Sequence, residues 1–326
     1  MDEQSIYISN KERSNQRIHK SVISNDNIIN KIEYSEQTQC PQTLLKFYSL
    51  SDYNIDALIN NYLFAANPLD FNDPFDCPVQ VWDKKIFSQQ TMFEIFNPLF
   101  KELWKTDDNE NKEQFFSIFF GFIGIICLNK PKFENQDLMW GYYSSQKGFT
   151  VSFNSNELIK SWNLPFAIEY LDKSQLDKFS IESMNEKDLN IELFSRILRW
   201  TTQKDEKWKK ENEWRFIFMD CPIDPLTFLP KIEERKKFYN MEAIKEIYLG
   251  FKFFEKQFSV FQNLNQFVYI TTEKNRLQNK LLTFLSFPQK IKVKHMCMKN
   301  DEIQLFPREC RIWKRDDERF KIEYLE

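Results

Sequence analysis

Glycine is scarce in this chain: 5 residues among 326. Neither G-x-G-x-x-G nor G-x-x-x-x-G-K-[ST] occurs, so no glycine-rich loop can cradle a phosphate. Any nucleotide must be held by side chains and by ordinary strand or helix ends. Histidine is scarcer still, with only His19 and His295. The cysteines, Cys40, Cys77, Cys127, Cys221, Cys297 and Cys310, are scattered with no C-x-x-C, so no Cys/His zinc spacing can be recognised and the reading is metal: none. No apolar run approaches the ~20 residues of a spanning helix. The run from Phe115 to Cys127 is short, is interrupted by Gly121 and Gly124, and reads as buried core. With no signal peptide in view, the expectation is a cytoplasmic protein with reduced thiols and no membrane partner. An excess of positive charge is also missing. The net charge of −3 disfavours extended, sequence-independent nucleic-acid binding. Local basic stretches at Lys204–Lys210 and Lys290–Lys299 read first as solvated faces.

What is present is an ordinary globular balance, 42% apolar and 29% charged, with an unusual 33 phenylalanines. Residues 1–42 are polar and lack a sustained apolar period, which predicts a flexible or loosely docked arm. Residues 43–326 are expected to form a single α+β domain, a central mixed or antiparallel sheet with flanking helices. Within it, a core occupies about 44–255 and an extension ending in a hairpin about 256–326. Thr43–Leu50 reads as a strand, followed by a helix capped by Ser51 or Asp52 and carrying Ile55, Leu58 and Ile59 on one face. Tyr62–Ala66 is a second strand. Asp83–Phe120 is mainly helical, broken near Pro98, and Phe122–Leu128 is a central strand. Asp137–Ser144 is a short helix. Gly148 then turns the chain into Phe149–Phe153, whose strict alternation predicts a half-buried strand. Residues 174–210 look mostly helical, Trp214–Phe218 and Ile244–Gly250 are strands, and Ile291–Met298 with Ile303–Trp313 form a hairpin about Asn300-Asp301.

Three constellations carry chemical potential. In Asn72-Asp73-Pro74-Phe75-Asp76, proline fixes a turn and pushes Asp73 out of the α region. Its amide and carboxylates could bind ribose or a metal, or simply close an Asx-turn. In Met139-Trp140-Gly141-Tyr142-Tyr143, Trp140 and Tyr143 stand three apart on one helix face. They could stack on a nucleobase or a nicotinamide, or pack as core. In Glu211-Asn212-Glu213-Trp214-Arg215, period two places Glu211, Glu213 and Arg215 on one strand face. Arg215 would favour ionised Glu213, and Glu211 would oppose ionising both acids. A carboxylate so held can polarise a ribose hydroxyl and stabilise an oxocarbenium-like sugar. A silent surface ion pair is the alternative.

In this order, Leu45-Lys46-Phe47-Tyr48, Phe71-Asn72-Asp73-Pro74-Phe75-Asp76, Leu138–Tyr143 with Lys147-Gly148-Phe149, Lys207-Trp208 with Glu211–Arg215, and Leu249-Gly250 resemble DUF2971, a large bacterial family of uncharacterised proteins. A more distant likeness is to ADP-ribosyltransferase-like domains. That likeness implies NAD as cofactor, a nucleotide-type small molecule as partner, and ADP-ribosyl transfer or NAD cleavage as activity, in the manner of a toxin-like effector in bacterial conflict or phage defence. Carried over by position, Glu213 would be the catalytic acid and Glu211 the acceptor-activating one, with Arg215 beside them. Lys46, Tyr48, Asn72 and Asp73 would sit near the dinucleotide, and Trp140 or Tyr143 on nicotinamide. The sequence departs from that pattern: Lys46 stands where Arg or His is usual, and no Ser-Thr-Ser strand follows. Two other readings stay open. One is a metal-dependent phosphodiesterase or nuclease using Asp73, Asp76, Glu211 and Glu213. The other is a non-catalytic sensor module whose aromatic face receives a ligand or partner.

Overall fold

A computed structural model describes residues 4–8, 18–24, 27–33, 40–73, 75–77, 121–131, 136–176, 197–198, 200–219, 221–222, 224, 231–254, 267–273, 275–287, 291–298 and 305–325. In chain order, the first elements are β1 (Gln4–Ile8), β2 (Ile18–Ser24), β3 (Asn27–Glu33), β4 (Thr43–Tyr48), α1 (Asp52–Ile59) and β5 (Tyr62–Phe64). Next come β6 (Gly124–Asn129), α2 (Gln136–Ser144), β7 (Phe149–Asn154), α3 (Ser155–Ser161), β8 (Phe166–Ala167) and β9 (Glu169–Leu171). Then follow β10 (Gln203–Asp205), β11 (Glu213–Phe218), β12 (Lys236–Phe238), β13 (Ile244–Leu249) and β14 (Phe267–Thr271). The last are α4 (Arg276–Ser286), β15 (Lys292–Met298), β16 (Leu305–Lys314) and β17 (Arg319–Tyr324). The class is α+β, with mixed strand pairing and helices. The chain divides into two compact units, each assembled from separate segments: 1–40, 64–127 and 163–237 in one, 41–63, 128–162 and 238–326 in the other. No helix among the described residues is long and apolar enough to cross a membrane.

In the first unit, β1, β2 and β3 form an antiparallel meander in the segment expected to be an arm. Further along, β11 lies between β6 and β8. Trp214 and Arg215 pair antiparallel with Ala167 and Phe166, and β9 pairs parallel with β10. Every residue of β11 is buried. The expected helical stretch 174–210 is corrected where it is described. It is helical at 197, 198, 200 and 201, as expected, but elsewhere it is a 3-10 turn at Lys173–Gln175, the strand β10, and a 3-10 segment over Glu206–Glu211. After β10, Asp205 starts the 3-10 segment as its N-cap, its side chain accepting the Lys207 N–H. The helical expectation for 83–120, the interval 177–196 and the hairpin tip at 300–301 lie outside the described residues.

In the second unit, the sheet runs β14-β17-β16-β15-β13-β7-β4. The β13–β15 pair is parallel, and the others named here are antiparallel. The expected hairpin is present as β15 and β16, while β14, α4 and β17 went unread. Ser51 caps α1 by accepting the Asn54 N–H, as its sequence position suggests. Helix α4 packs on β16 and α1 with Leu281, Leu282 and Leu285 inward. Helix α2 packs on β4, where Met139 and Trp140 join Leu45, Phe47 and Met296 in one cluster.

Two of the few glycines sit where backbone meets backbone. A Cβ on Gly148 would lie 1.9 Å from the Tyr48 carbonyl oxygen, and one on Gly250 would lie 2.4 Å from that of Gln146. Gly250 N–H donates to the Gly148 carbonyl at 2.9 Å. The turn out of α2, with Ser145 and Gln146 at positive φ, is thereby locked to the end of β13. Gly141, inside α2, meets nothing within 4 Å. Gly148→Ala should therefore cost about 1–3 kcal/mol or more through overpacking, whereas Gly141→Ala should stabilise by up to about 1 kcal/mol. Urea denaturation of both variants checks this pair, and equal effects would contradict the packing.

Candidate functional site

The N-D-P-F-D turn and the E-x-E-W-R segment both belong to the first unit and meet there in a buried ionic network. Arg215, with no exposed surface, is its centre. Its Nη2 donates to both carboxylate oxygens of Asp76 at 2.8 and 2.7 Å. Its Nε donates to Glu213 Oε1 at 2.6 Å, and its Nη1 to the Thr201 carbonyl at 2.9 Å and to Cys77 Sγ at 3.5 Å. Those contacts engage all five guanidinium donors. The Phe71 ring lies 5.2 Å from the guanidinium carbon.

Lys204 is the second cation. Its Nζ donates to Glu211 Oε2 at 2.7 Å and Glu213 Oε2 at 2.8 Å, and pairs with Asp76 Oδ2 at 3.2 Å. The expectation of a solvated basic face is corrected here: Lys204 is buried in β10, whereas Lys209 on the same run is exposed. The sequence carried no signal to separate one lysine of this charged run from the others.

Glu211 also reaches the network by a different route from the one expected. It ends a 3-10 segment rather than lying in the strand, and Asn212 adopts the left-handed conformation, φ 45° and ψ 51°. That reversal, which Asn tolerates better than most residues, brings Glu211 back to the lysine that Glu213 binds. Only Glu213 and Arg215 share a strand face by period two.

Burial pushes the Glu213 pKa up, but Arg215 and Lys204 more than offset this and hold the carboxyl well below its usual range. Lys204 is pushed down by burial and then raised above its ordinary value by Glu213 and Asp76. Tyr170, whose hydroxyl oxygen accepts the Glu213 N–H at 2.8 Å, is pushed up by burial and by that carboxylate.

Beside the network, Asp73 closes an Asx-turn by accepting the Phe75 N–H at 3.0 Å. It also accepts from Trp208 Nε1 and pairs with Lys207 at 3.2 Å. Burial raises its pKa, but these donors outweigh that and leave it lowered. Asn72 is exposed. The four acids once considered for a metal are thus bound by Arg215, Lys204, Lys207 and Trp208. Such a set does not fit a Mg²⁺ site, and no cluster of metal-ligating type is found among the described residues.

The remaining candidates, Lys46, Tyr48, Trp140 and Tyr143, belong to the second unit. The expected Trp140–Tyr143 face is corrected: Trp140 is buried, edge-on to Phe47 with centroids 5.4 Å apart, while Tyr143 is 41% exposed. Trp140 lines a cavity of about 240 Å³, together with Thr43, Leu45, Phe47, Pro131, Thr150, Ser152, Lys245, Glu246, Tyr248 and Pro307. Lys46 and Tyr48 alternate with Leu45 and Phe47 along β4 and are not among the lining residues. Tyr48 is instead stacked on Phe149 with centroids 5.0 Å apart. Sequence reasoning passed over Thr150, Ser152, Glu246 and Tyr248.

The fold and these two sites define an α+β protein with a closed ionic centre in one unit and a small aromatic-walled cavity in the other. Residues 139–216 match the family described as "Protein of unknown function (DUF2971)". Neither a curated protein nor a solved structure matches the chain.

Removing one member of the network leaves a buried charge uncompensated. Asp76→Ala should cost about 3–5 kcal/mol in urea denaturation. A loss under ~1 kcal/mol, typical of an exposed pair, would refute the buried geometry. The acid limb follows from Glu213. Its folded pKa lies below its unfolded value of about 4.3, so protonation favours the unfolded chain. Its contribution is complete above that value and is lost as pH falls through the folded one. Stability measured downward from pH 5 should fall, and Glu213→Gln should flatten that slope.

Proposed function

We propose that the chain is a binding protein for a nucleotide-type small molecule, whose ring is received in the second unit beside Trp140. The observation that carries this is the cavity itself, walled by Trp140, Phe47 and Tyr248 and floored by polar residues of β7. Its 240 Å³ is below the ~300–1,000 Å³ of sites that enclose a drug-sized ligand. It suits one ring, with the rest of the molecule outside. Calorimetric titration with NAD and with ATP tests the reading against Ser152→Leu, which fills the floor. Binding to the wild type that disappears in a folded Ser152→Leu protein is the expected result. Undiminished binding by that variant would move the site elsewhere.

A second reading is favoured by one observation, the ionised state of buried Glu213. In it the first unit cleaves NAD or transfers ADP-ribose, Glu213 stabilising the developing positive sugar, and the chain acts as an effector in bacterial conflict. The reading demands that a ribose hydroxyl replace Lys204 at Glu213 Oε2, because both oxygens are engaged by cations. Labelled NAD should then release nicotinamide, and Glu213→Gln should abolish release while the protein stays folded by circular dichroism. Release that persists in Glu213→Gln would end this assignment.

A further inference from the structure

In the second unit, β14, β17 and β16 form the end of the sheet remote from β4. Their residues alternate. Val268, Ile270, Ile312, Phe320 and Ile322 are buried on one side. On the other side Phe267, Tyr269 and Trp313 are 45, 60 and 49% exposed. Strand pairing sets them in two neighbouring rows. Phe267 lies opposite Glu323, which lies opposite Arg311; Tyr269 lies opposite Lys321, which lies opposite Trp313. The Phe267 and Tyr269 rings stand 5.8 Å apart at 73°. Lys321 Nζ lies 4.7 Å from the Phe267 centroid, and Trp313 Nε1 donates to Glu323 Oε2 at 3.1 Å.

Single exposed rings are ordinary, but three large ones gathered on one sheet face mark an interaction surface. Charge narrows the partner. The second unit carries 21 Lys and Arg against 17 Asp and Glu, whereas the first carries 24 against 31. The cationic surplus therefore belongs to the unit that bears these rings. Arg319 is paired with Asp316, and Lys321 lies 3.8 Å from Glu323 Oε1. Arg311 is exposed and makes no ion pair among the described residues. A second copy of the chain suits this face poorly. The middle strand presents Lys321 and Glu323, residue types depleted from the cores of protein interfaces.

We propose that this face binds a short stretch of single-stranded nucleic acid. Unpaired bases stack on Trp313 and on the Tyr269–Phe267 pair, and Arg311 takes a backbone phosphate. Exposed rings on a sheet can meet the π faces of unpaired bases, whatever the base. A duplex hides those faces in its own stack, and its denser phosphates ask for a broader basic surface. Contact with a few nucleotides is compatible with a chain whose net charge of −3 opposes extended binding. The proposal does not depend on what the Trp140 cavity holds.

Fluorescence anisotropy tests it with a labelled oligothymidylate of about 12 nucleotides, within the span of single-strand sites. The same-length duplex and polyglutamate serve as competitors, and the variants are Trp313→Ala, Trp313→Phe, Tyr269→Ala and Arg311→Gln. All four positions lie on the exposed face, and thermal melts verify that each variant is folded. The single strand should bind the wild type more tightly than either competitor. Trp313→Ala and Tyr269→Ala should each weaken it about five- to hundredfold, with Trp313→Phe close to the wild type. Arg311→Gln should weaken binding and lower the salt slope by about 0.7. Should Trp313→Ala fail to fold, Tyr269→Ala and Arg311→Gln decide the matter. No binding by the wild type, undiminished affinity in the folded ring variants, or equal competition by polyglutamate or duplex overturns the proposal.

Discussion

The first unit is organised around a guanidinium taken entirely out of water. An isolated buried charge is prohibitively expensive, so Arg215 can be where it is only if its partners arrive together. They come from three separate stretches: Asp76 and Cys77 after the proline-fixed turn, the Thr201 carbonyl just before β10, and Glu213 two residues earlier on β11. Lys204 then closes the acids against one another. The network specifies a geometry more than it adds stability. A well-packed apolar replacement of such a cluster is often neutral or better, whereas a half-removed one is destructive. The two cations between the three acids also explain why those acids are unready for a metal.

That completeness bears on the choice between binding and chemistry. A carboxylate that is to polarise a sugar needs a free face toward the cleft. Glu213 is ionised, which such chemistry wants, yet both its oxygens already hold cations. The second unit presents the complementary condition, open space lined by aromatic and polar side chains. Open space with polar side chains in its lining is closer to a recognition site than a satisfied network without space.

Much of this was legible in the amino-acid sequence where local rules act alone. Ser51 ahead of an apolar face fixes α1, and alternation marks β4, β7, β11 and β13. Period two joins Glu213 to Arg215, and Asp73 before proline closes its Asx-turn. Legibility ended where tertiary context overrides local preference. Lys204 belongs to the run Lys204-Asp205-Glu206-Lys207, which any composition rule makes a solvated helix. The strand β10 interrupts the helical pattern, Asp205 starts a 3-10 segment after it, and three acids surround one buried lysine of the run. Glu211 arrives through a left-handed asparagine, a conformation asparagine adopts only sometimes. Trp140 and Tyr143 have the spacing of a shared face, but Trp140 packs against Phe47 in the core while Tyr143 is partly exposed.

The alternation in Phe149-Thr150-Val151-Ser152-Phe153 carries the deepest ambiguity. Period two reports that the two faces of a strand differ in polarity, and the ordinary inference is that the polar face meets water. Here both faces are buried. The polar one lies between β4 and β13, beneath Trp140 and beside a cavity. Burying Thr150 without a partner costs the ligand-free protein stability that a valine would restore. A fold selected for stability alone has no use for that hydroxyl at 1% exposure. An orphan polar atom inside a buried strand is the kind of local inconsistency that concentrates at functional positions. The same reasoning separates this strand from β11, whose buried polar atoms are answered from within the chain.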